Sequence, residues 1–194
     1  MRAFVAVELP EATRFRLQEE IIRLRKAGGR VSWVRPEHMH LTLRFLGDIT
    51  EDQKTAIAQT LLGVCADAVP MRLAVEGIGA FPNLRRPAVV WAGIRLVEGD
   101  LAGLQSKIEQ TARKIGLVPD NKPFHPHVTL ARIRDLSLAG GLAEAMRDRA
   151  GGDTPAFGDE FEAAAVALFR SDLKPGGPEH TRLEEFSLSC NSCL

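Results

Sequence analysis

Four of the five histidines in this 194-residue chain fall inside two copies of one eight-residue phrase. The first copy is Pro36-Glu37-His38-Met39-His40-Leu41-Thr42-Leu43 and the second is Pro123-Phe124-His125-Pro126-His127-Val128-Thr129-Leu130. Both read Pro-x-His-x-His-apolar-Thr-Leu, a match long enough to point to internal duplication. Alternate side chains of a strand share a face, so His40 and Thr42 point one way and Leu41 and Leu43 the other. His127 and Thr129 stand in the same relation to Val128 and Leu130. Each copy therefore presents an imidazole beside a hydroxyl, held by apolar anchors. Two imidazoles that titrate near neutrality can divide the duties of acid and base. Two hydroxyls can hold the oxygens of a tetrahedral anion between them. This is an outfit for phosphoryl chemistry without a metal, at the place where the two phrases face each other. The near symmetry of the repeat leaves open which ring is the acid and which the base.

Other readings of these and neighbouring residues are weaker. His38 and His125 are expected to shape the turn into each strand or to orient the imidazole that follows. Paired imidazoles two apart on a strand can share a cation, but no Asp or Cys accompanies either pair and only Glu37 is adjacent, so no metal is expected. Gly77-Ile78-Gly79 lacks the third glycine and the following helix of a dinucleotide loop, and reads as an irregular strand. Cys190 and Cys193 resemble half a zinc site without its partner. Arg85-Arg86 before Pro87 reads as a solvated turn, with a reach to RNA phosphates as the alternative.

The elements that must position the two phrases follow from periodicity and punctuation. Arg2 to Leu9 reads as a strand broken by Pro10, and Glu11 to Ala27 as a helix stopped by Gly28-Gly29. Val31 to Val34 and His40 to Leu46 read as strands. Thr50-Glu51-Asp52-Gln53 is a capping box opening a helix to about Ala66. Met71 to Ile78 is expected as a half-exposed strand, and Ala88 to Ile94 as a strand buried on both faces. Asp100 caps a helix to Ile115. A proline-containing loop from Val118 to Pro126 leads to a strand from His127 to Arg132. Leu138 to Arg149 reads as a helix, Phe161 to Phe169 as one strand, and Leu183 to Leu188 as the last strand after a turn at Pro175-Gly176-Gly177-Pro178. Such mixing of helices with hairpin-length strand connections argues for an α+β fold with largely antiparallel sheets. Residues 1–194 are read as one bilobal domain, its lobes related by a pseudo-two-fold, helices outside and a cleft between, with 190–194 a loose tail.

Composition narrows the partners. Twenty-five basic and twenty-five acidic residues balance to zero, which gives no support for a general attraction to nucleic acid or membrane; a polyanion would need a local cluster. No apolar run approaches the length of a membrane span, the N-terminus lacks a signal-peptide core, and three cysteines make no disulfide framework. The expected location is the cytoplasm.

The paired His-x-Thr-x tetrads, 87 residues apart, resemble those of the two-histidine (2H) phosphoesterases, and more closely the LigT-type RNA 2′,3′-cyclic phosphodiesterases, also called 2′-5′ RNA ligases. The resemblance runs through Arg2-Ala3-Phe4-Val5-Ala6-Val7, His40 to Gly47, Gly79-Ala80-Phe81-Pro82, Arg86 to Trp91, His127 to Arg132 and Leu168-Phe169-Arg170-Ser171. It implies metal-independent, cofactor-free hydrolysis of an RNA-terminal 2′,3′-cyclic phosphate to a 2′-phosphomonoester, with 2′-5′ ligation as the reverse. It implies His40 as the acid that protonates the leaving O3′ and His127 as the base that activates water. Thr42 and Thr129 would bind phosphate oxygens, and Arg132 would neutralise phosphate charge. The partners implied are RNA or oligoribonucleotide ends, no membrane, and a monomeric protein. One departure is His180, near a place where the family often has an aromatic residue. A regular strand puts Arg44 in phase with His40 and Thr42 and aims Arg132 at the opposite face, so Arg132 reaches the cleft only through a bulge or a strand end. Phe45, at the matching offset, packs beside a nucleobase or fills core. The rivals are a metal-dependent phosphoesterase using the two His-x-His pairs, and a non-catalytic module that binds RNA ends.

Overall fold

A computed structural model describes residues 1–135, 137, 141–150, 160–174 and 177–189. The tail at 190–194, with Cys190 and Cys193, lies outside the described residues. In chain order the elements are β1 (Arg2–Glu8), α1 (Glu11–Arg25), β2 (Ser32–Trp33), a 3₁₀ turn (Pro36–His38), β3 (His40–Asp48), α2 (Glu51–Ala66), β4 (Met71–Phe81), β5 (Val89–Glu98), α3 (Leu101–Lys114), β6 (His127–Arg132), α4 (Leu142–Ala150), β7 (Glu160–Ala163), β8 (Ala165–Lys174) and β9 (Gly177–Ser187). α2 and α3 begin where side chains satisfy their first N–H groups. Thr50 Oγ1 accepts from Gln53 N–H while the Gln53 side chain accepts from Thr50 N–H, and Asp100 accepts from Gly103 N–H.

Every strand pairing is antiparallel, in the order β7-β4-β5-β6-β3-β1-β8-β9, with β2 added to β6. Two halves meet in the middle through one bridge pair, Leu41 with Val128. The 87-residue offset between the phrases also separates the starts of β1 and β5. The first copy therefore runs β1-α1-β3-α2-β4 and the second β5-α3-β6-α4-β8. Their last strands are exchanged: β4 pairs with β5, and β8 pairs with β1. This exchange threads each copy through the other's half. Because Ala164 alone separates β7, at one end of the strand order, from β8, next to last at the other, the sheet is curled.

One face of the sheet carries the helices. Val5, Val7, Leu41, Leu43, Val90, Val128 and Leu130 are buried there with Leu17 and Ile21 of α1 and Leu104 and Ile108 of α3. Each such aliphatic side chain contributes about 1.5–3 kcal/mol by leaving water, so the residues alternating with the histidines and threonines fix their strands firmly. Among the described residues no helix is long and apolar enough to cross a membrane.

Three expectations are corrected by this topology. Phe161 to Phe169 is two strands, since the chain leaves β4 at Ala163, pairs with β9 from Ala165 and joins β1 from Ala167. The last strand starts at Gly177, because it pairs with β8 along its whole length. β5 is buried on one face only, with Val89 and Trp91 half-buried on the other. Gly77 does mark an irregular strand, with a register shift between Glu76 and Ile78 and a φ of 57° that favours glycine.

Candidate active site

The bridge between Leu41 and Val128 sets the geometry of the site. Continued by one residue in each direction, that antiparallel register faces His40 with Thr129 and Thr42 with His127. All four side chains are half-buried, on the face opposite the helices. Both tetrads thus open into one cleft.

Each imidazole is tied back in the same way. His40 Nδ1 lies 2.8 Å from the carbonyl oxygen of His38, and His127 Nδ1 lies 2.6 Å from that of His125. A carbonyl only accepts, so both Nδ1 atoms carry hydrogen and both Nε2 atoms are the ones left for chemistry. The orientation comes from the backbone of His38 and His125 rather than from their rings.

Both phrases also bulge at the same point. Ala6 pairs with Thr42 but Val5 with Arg44; Trp91 pairs with Thr129 but Val90 with Ala131. Leu43 and Leu130 are the extra residues, and the burial patterns from His40 to Phe45 and from His127 to Arg132 are identical. A one-residue bulge reverses the side-chain phase beyond it. Arg132 accordingly returns to the cleft side, exposed, and its charge acts on His127. Phe45 occupies the equivalent place in the first copy, 53% exposed and 6.0 Å from the Phe4 ring. The same bulge overturns the expected direction of Arg44. Its guanidinium is buried on the helix side, paired with Glu109 of α3 and donating to the carbonyls of Phe45 and Val118.

Aromatic rings wall the histidines. Phe4 stacks on His40 at 4.7 Å and on Phe169 at 5.1 Å, and His180 stands edge-on to His40 and His38 at 5.3 Å. Across the cleft, Phe81 meets His127 edge-on at 5.1 Å, and Trp91 lies 4.7 Å from His125. Trp91 presses on Gly79, where an added Cβ would come within 2.2 Å of the indole. Sequence reasoning gave these rings no role, although the stretches carrying the family resemblance contain Phe4, Phe81, Trp91 and Phe169.

Burial lowers the basicity of both imidazoles. His40 is driven from 6.5 to about 4, chiefly by desolvation, with the charges of His180, His38 and His127 adding to it against the opposing bond to His38 O. His127 is lowered too, first by desolvation and then by His125 and Arg132. His180 is lowered by burial and by His38. Among the described residues no group of three His, Cys, Asp or Glu side chains is arranged to hold a metal ion.

Comparisons with known proteins agree with the duplication. The family described as LigT like Phosphoesterase matches residues 7–91 and again 95–179, once for each copy. An RNA 2′,3′-cyclic phosphodiesterase of Thermus thermophilus is 37% identical over 197 residues, covering 97% of this chain and 90% of that protein. A protein of the same name from Aquifex aeolicus is 37% identical over 157 residues, with 80% and 81% coverage. Among solved structures, TT0787 of Thermus thermophilus superposes with a TM-score of 0.80 at 31% identity, covering 98% of this chain and 100% of that one. E. coli LigT complexed with 3′-AMP superposes with a TM-score of 0.70 at 26% identity, covering 96% and 97%.

Proposed function

The chain belongs to the LigT-like phosphoesterases, and from that premise we propose that it hydrolyses RNA-terminal 2′,3′-cyclic phosphates to 2′-phosphomonoesters. The observation that carries this reading is the pair of matched Nδ1 anchors, which leave both Nε2 atoms for one cleft. A phosphate between the tetrads has an imidazole on each side, as an in-line displacement requires. His127 Nε2 takes a proton from water as the water oxygen bonds to phosphorus. The P–O3′ bond breaks, and His40 Nε2 gives its proton to O3′. Thr42 and Thr129 hold the non-bridging oxygens, Arg132 offsets their charge, and Phe45 offers its exposed face to the terminal base. With an RNA 5′-hydroxyl in place of water as the nucleophile, the same displacement forms a 2′-5′ linkage. Both tetrads lie in one chain, so the monomer is complete, and no step calls for a metal or cofactor.

Product analysis tests this directly. A short oligoribonucleotide ending in a 2′,3′-cyclic phosphate is expected to yield only the 2′-phosphate, at a rate untouched by EDTA. A 3′-phosphate product would make O2′ the leaving group and overturn the proposed regiochemistry, and loss with EDTA restored by zinc or manganese would establish the metal-dependent rival. Binding without turnover would establish the RNA-end module.

The pH dependence follows from burial. The alkaline limb of kcat/KM records loss of the acid's proton and the acidic limb protonation of the base. Both histidines sit below 6.5 in the free protein, His40 at about 4, so the bell is expected to centre below pH 6.5. Bound phosphate monoanion favours both imidazolium forms, so the kcat profile is expected at higher pH than that of kcat/KM. A kcat/KM optimum above pH 7 contradicts the assignment of both limbs to these rings.

A further inference from the structure

Three segments converge at the far end of β6. Arg132 pairs with Val89 of β5 on one side and Ser32 of β2 on the other, and Ile133 N–H donates to Ala88 O. The loop from Phe81 to Ala88 is closed by Ala88 N–H donating to Phe81 O at 2.7 Å. Inside it, Asn83 Oδ1 accepts from the N–H groups of Arg85 and Arg86 at 3.0 and 3.1 Å. Arg85 and Arg86 thus lie on the loop that enters β5 where Val89 pairs with Arg132 and Ala88 accepts from Ile133 N–H, Arg134 follows on the β6 side, and Arg30 and Arg35 flank β2, whose Ser32 pairs with Arg132 on the other side.

All six arginines are exposed, and the one carboxylate among them, Asp135, already accepts from Ser137 N–H and Oγ–H. Among the described residues none of the six has an ion-pair partner, whereas Arg72, Arg95, Arg170 and Arg182, also on the surface, each hold a carboxylate. In a chain of twenty-five bases and twenty-five acids, this end leaves nineteen bases against twenty-four acids elsewhere. The charge is segregated, and the basic end begins at the cleft: Phe81, which opens the arginine loop, packs against the His127 ring.

We infer that this arginine rim is a track for the phosphodiester backbone of the RNA strand upstream of the cyclic end, a reading that rests on the proposed hydrolase activity. Guanidinium groups match phosphate geometry and release condensed counterions on contact. The negative balance elsewhere turns a strand away from the rest of the surface. A mononucleotide reaches the cleft without touching Arg85, Arg86, Arg30, Arg35 or Arg134; an oligoribonucleotide meets them in passing.

The test compares a nucleoside 2′,3′-cyclic phosphate with a short oligoribonucleotide ending in the same group, at low and high salt. In the Arg85→Ala/Arg86→Ala variant, kcat/KM for the oligoribonucleotide is expected to fall about tenfold at low salt. The mononucleotide rate is expected to hold, and the difference between the proteins to vanish at high salt. Equal loss on both substrates, or an unchanged oligoribonucleotide rate at low salt, overturns the track. If the unaltered protein turns over neither substrate, the hydrolase reading fails, and fluorescence anisotropy with a labelled oligoribonucleotide decides the track alone. Binding weakened about tenfold in the variant then supports it, and equal binding overturns it.

Discussion

His40→Ala and His127→Ala are each expected to lower turnover of a nucleoside 2′,3′-cyclic phosphate by about a hundred- to ten-thousand-fold, the range of a positioned proton carrier. The two rings serve one displacement, so the double variant should lose far less than the product of the single losses. Residual pH profiles separate the roles. Without the acid the alkaline fall disappears; without the base the acidic rise disappears. His40→Ala should therefore give a rate that only rises with pH, and His127→Ala one that only falls. Burial makes this a demanding test, because His40, the ring assigned to donate, is the one driven to about 4 and holds little proton at neutrality in the free protein. A bound phosphate monoanion favours the imidazolium, so an NMR titration of His40 should move upward on adding inorganic phosphate. If the single variants exchange profiles, His40 is the base. Normal turnover by either variant, with the fold intact by circular dichroism, would overturn the paired acid-base assignment.

The residues that read plainly in the sequence are those whose role is local. Thr50 and Gln53 cap α2 through bonds three residues long, and alternation alone put His40 and Thr42 on one face with Leu41 and Leu43 on the other. What escaped depends on partners distant in the chain. Arg44 is out of phase with His40 only because Leu43 has no opposite number on β1, a matter of register between strands. The same bulge in β6 was required to bring Arg132 to the cleft, yet without the partner strand nothing marked Leu130 as its site. Phe4 reaches His40 from β1, which pairs with β3, and Phe169 reaches it from β8, which the exchange sets against β1. The break at Ala164 was invisible for the same reason, since the apolar run continues while the pairing partner changes.

The symmetry of the two copies leaves one difference at the site. The two copies match through the bulge and then diverge at its far side, with Phe45 in one and Arg132 in the other. An apolar ring on one flank and a guanidinium on the opposite flank give a symmetric pair of tetrads a polarity. In the proposed reaction this polarity would distinguish the base side from the strand side of a terminal nucleotide. The arginine rim continues the polar flank only.

Arg44→Met is expected to destabilise the protein by about 3 kcal/mol, read as a lower urea midpoint with an unchanged slope. Arg44 joins β3 to α3 through Glu109 and donates to Val118 O, while Glu109 Oε1 also accepts from Arg113 Nε at 2.6 Å and Asp120 N–H at 3.2 Å. One buried carboxylate thus ties the strand of the first histidine to the loop that delivers the second. Removing the arginine leaves Glu109 to Arg113, whose half-exposed guanidinium compensates it only in part. Glu109→Gln should cost less, because an amide still accepts from Asp120 N–H. Arg44→Met combined with Glu109→Leu should recover much of the loss, since no unpaired charge remains in the core. Stability and turnover should then part company. The double variant regains its midpoint but keeps a lowered kcat, because the loop from Val118 to Pro126, which leads into His127, has lost its tie to β3. Full recovery of kcat with the midpoint would make Arg44 a stabilising residue with no part in positioning the site.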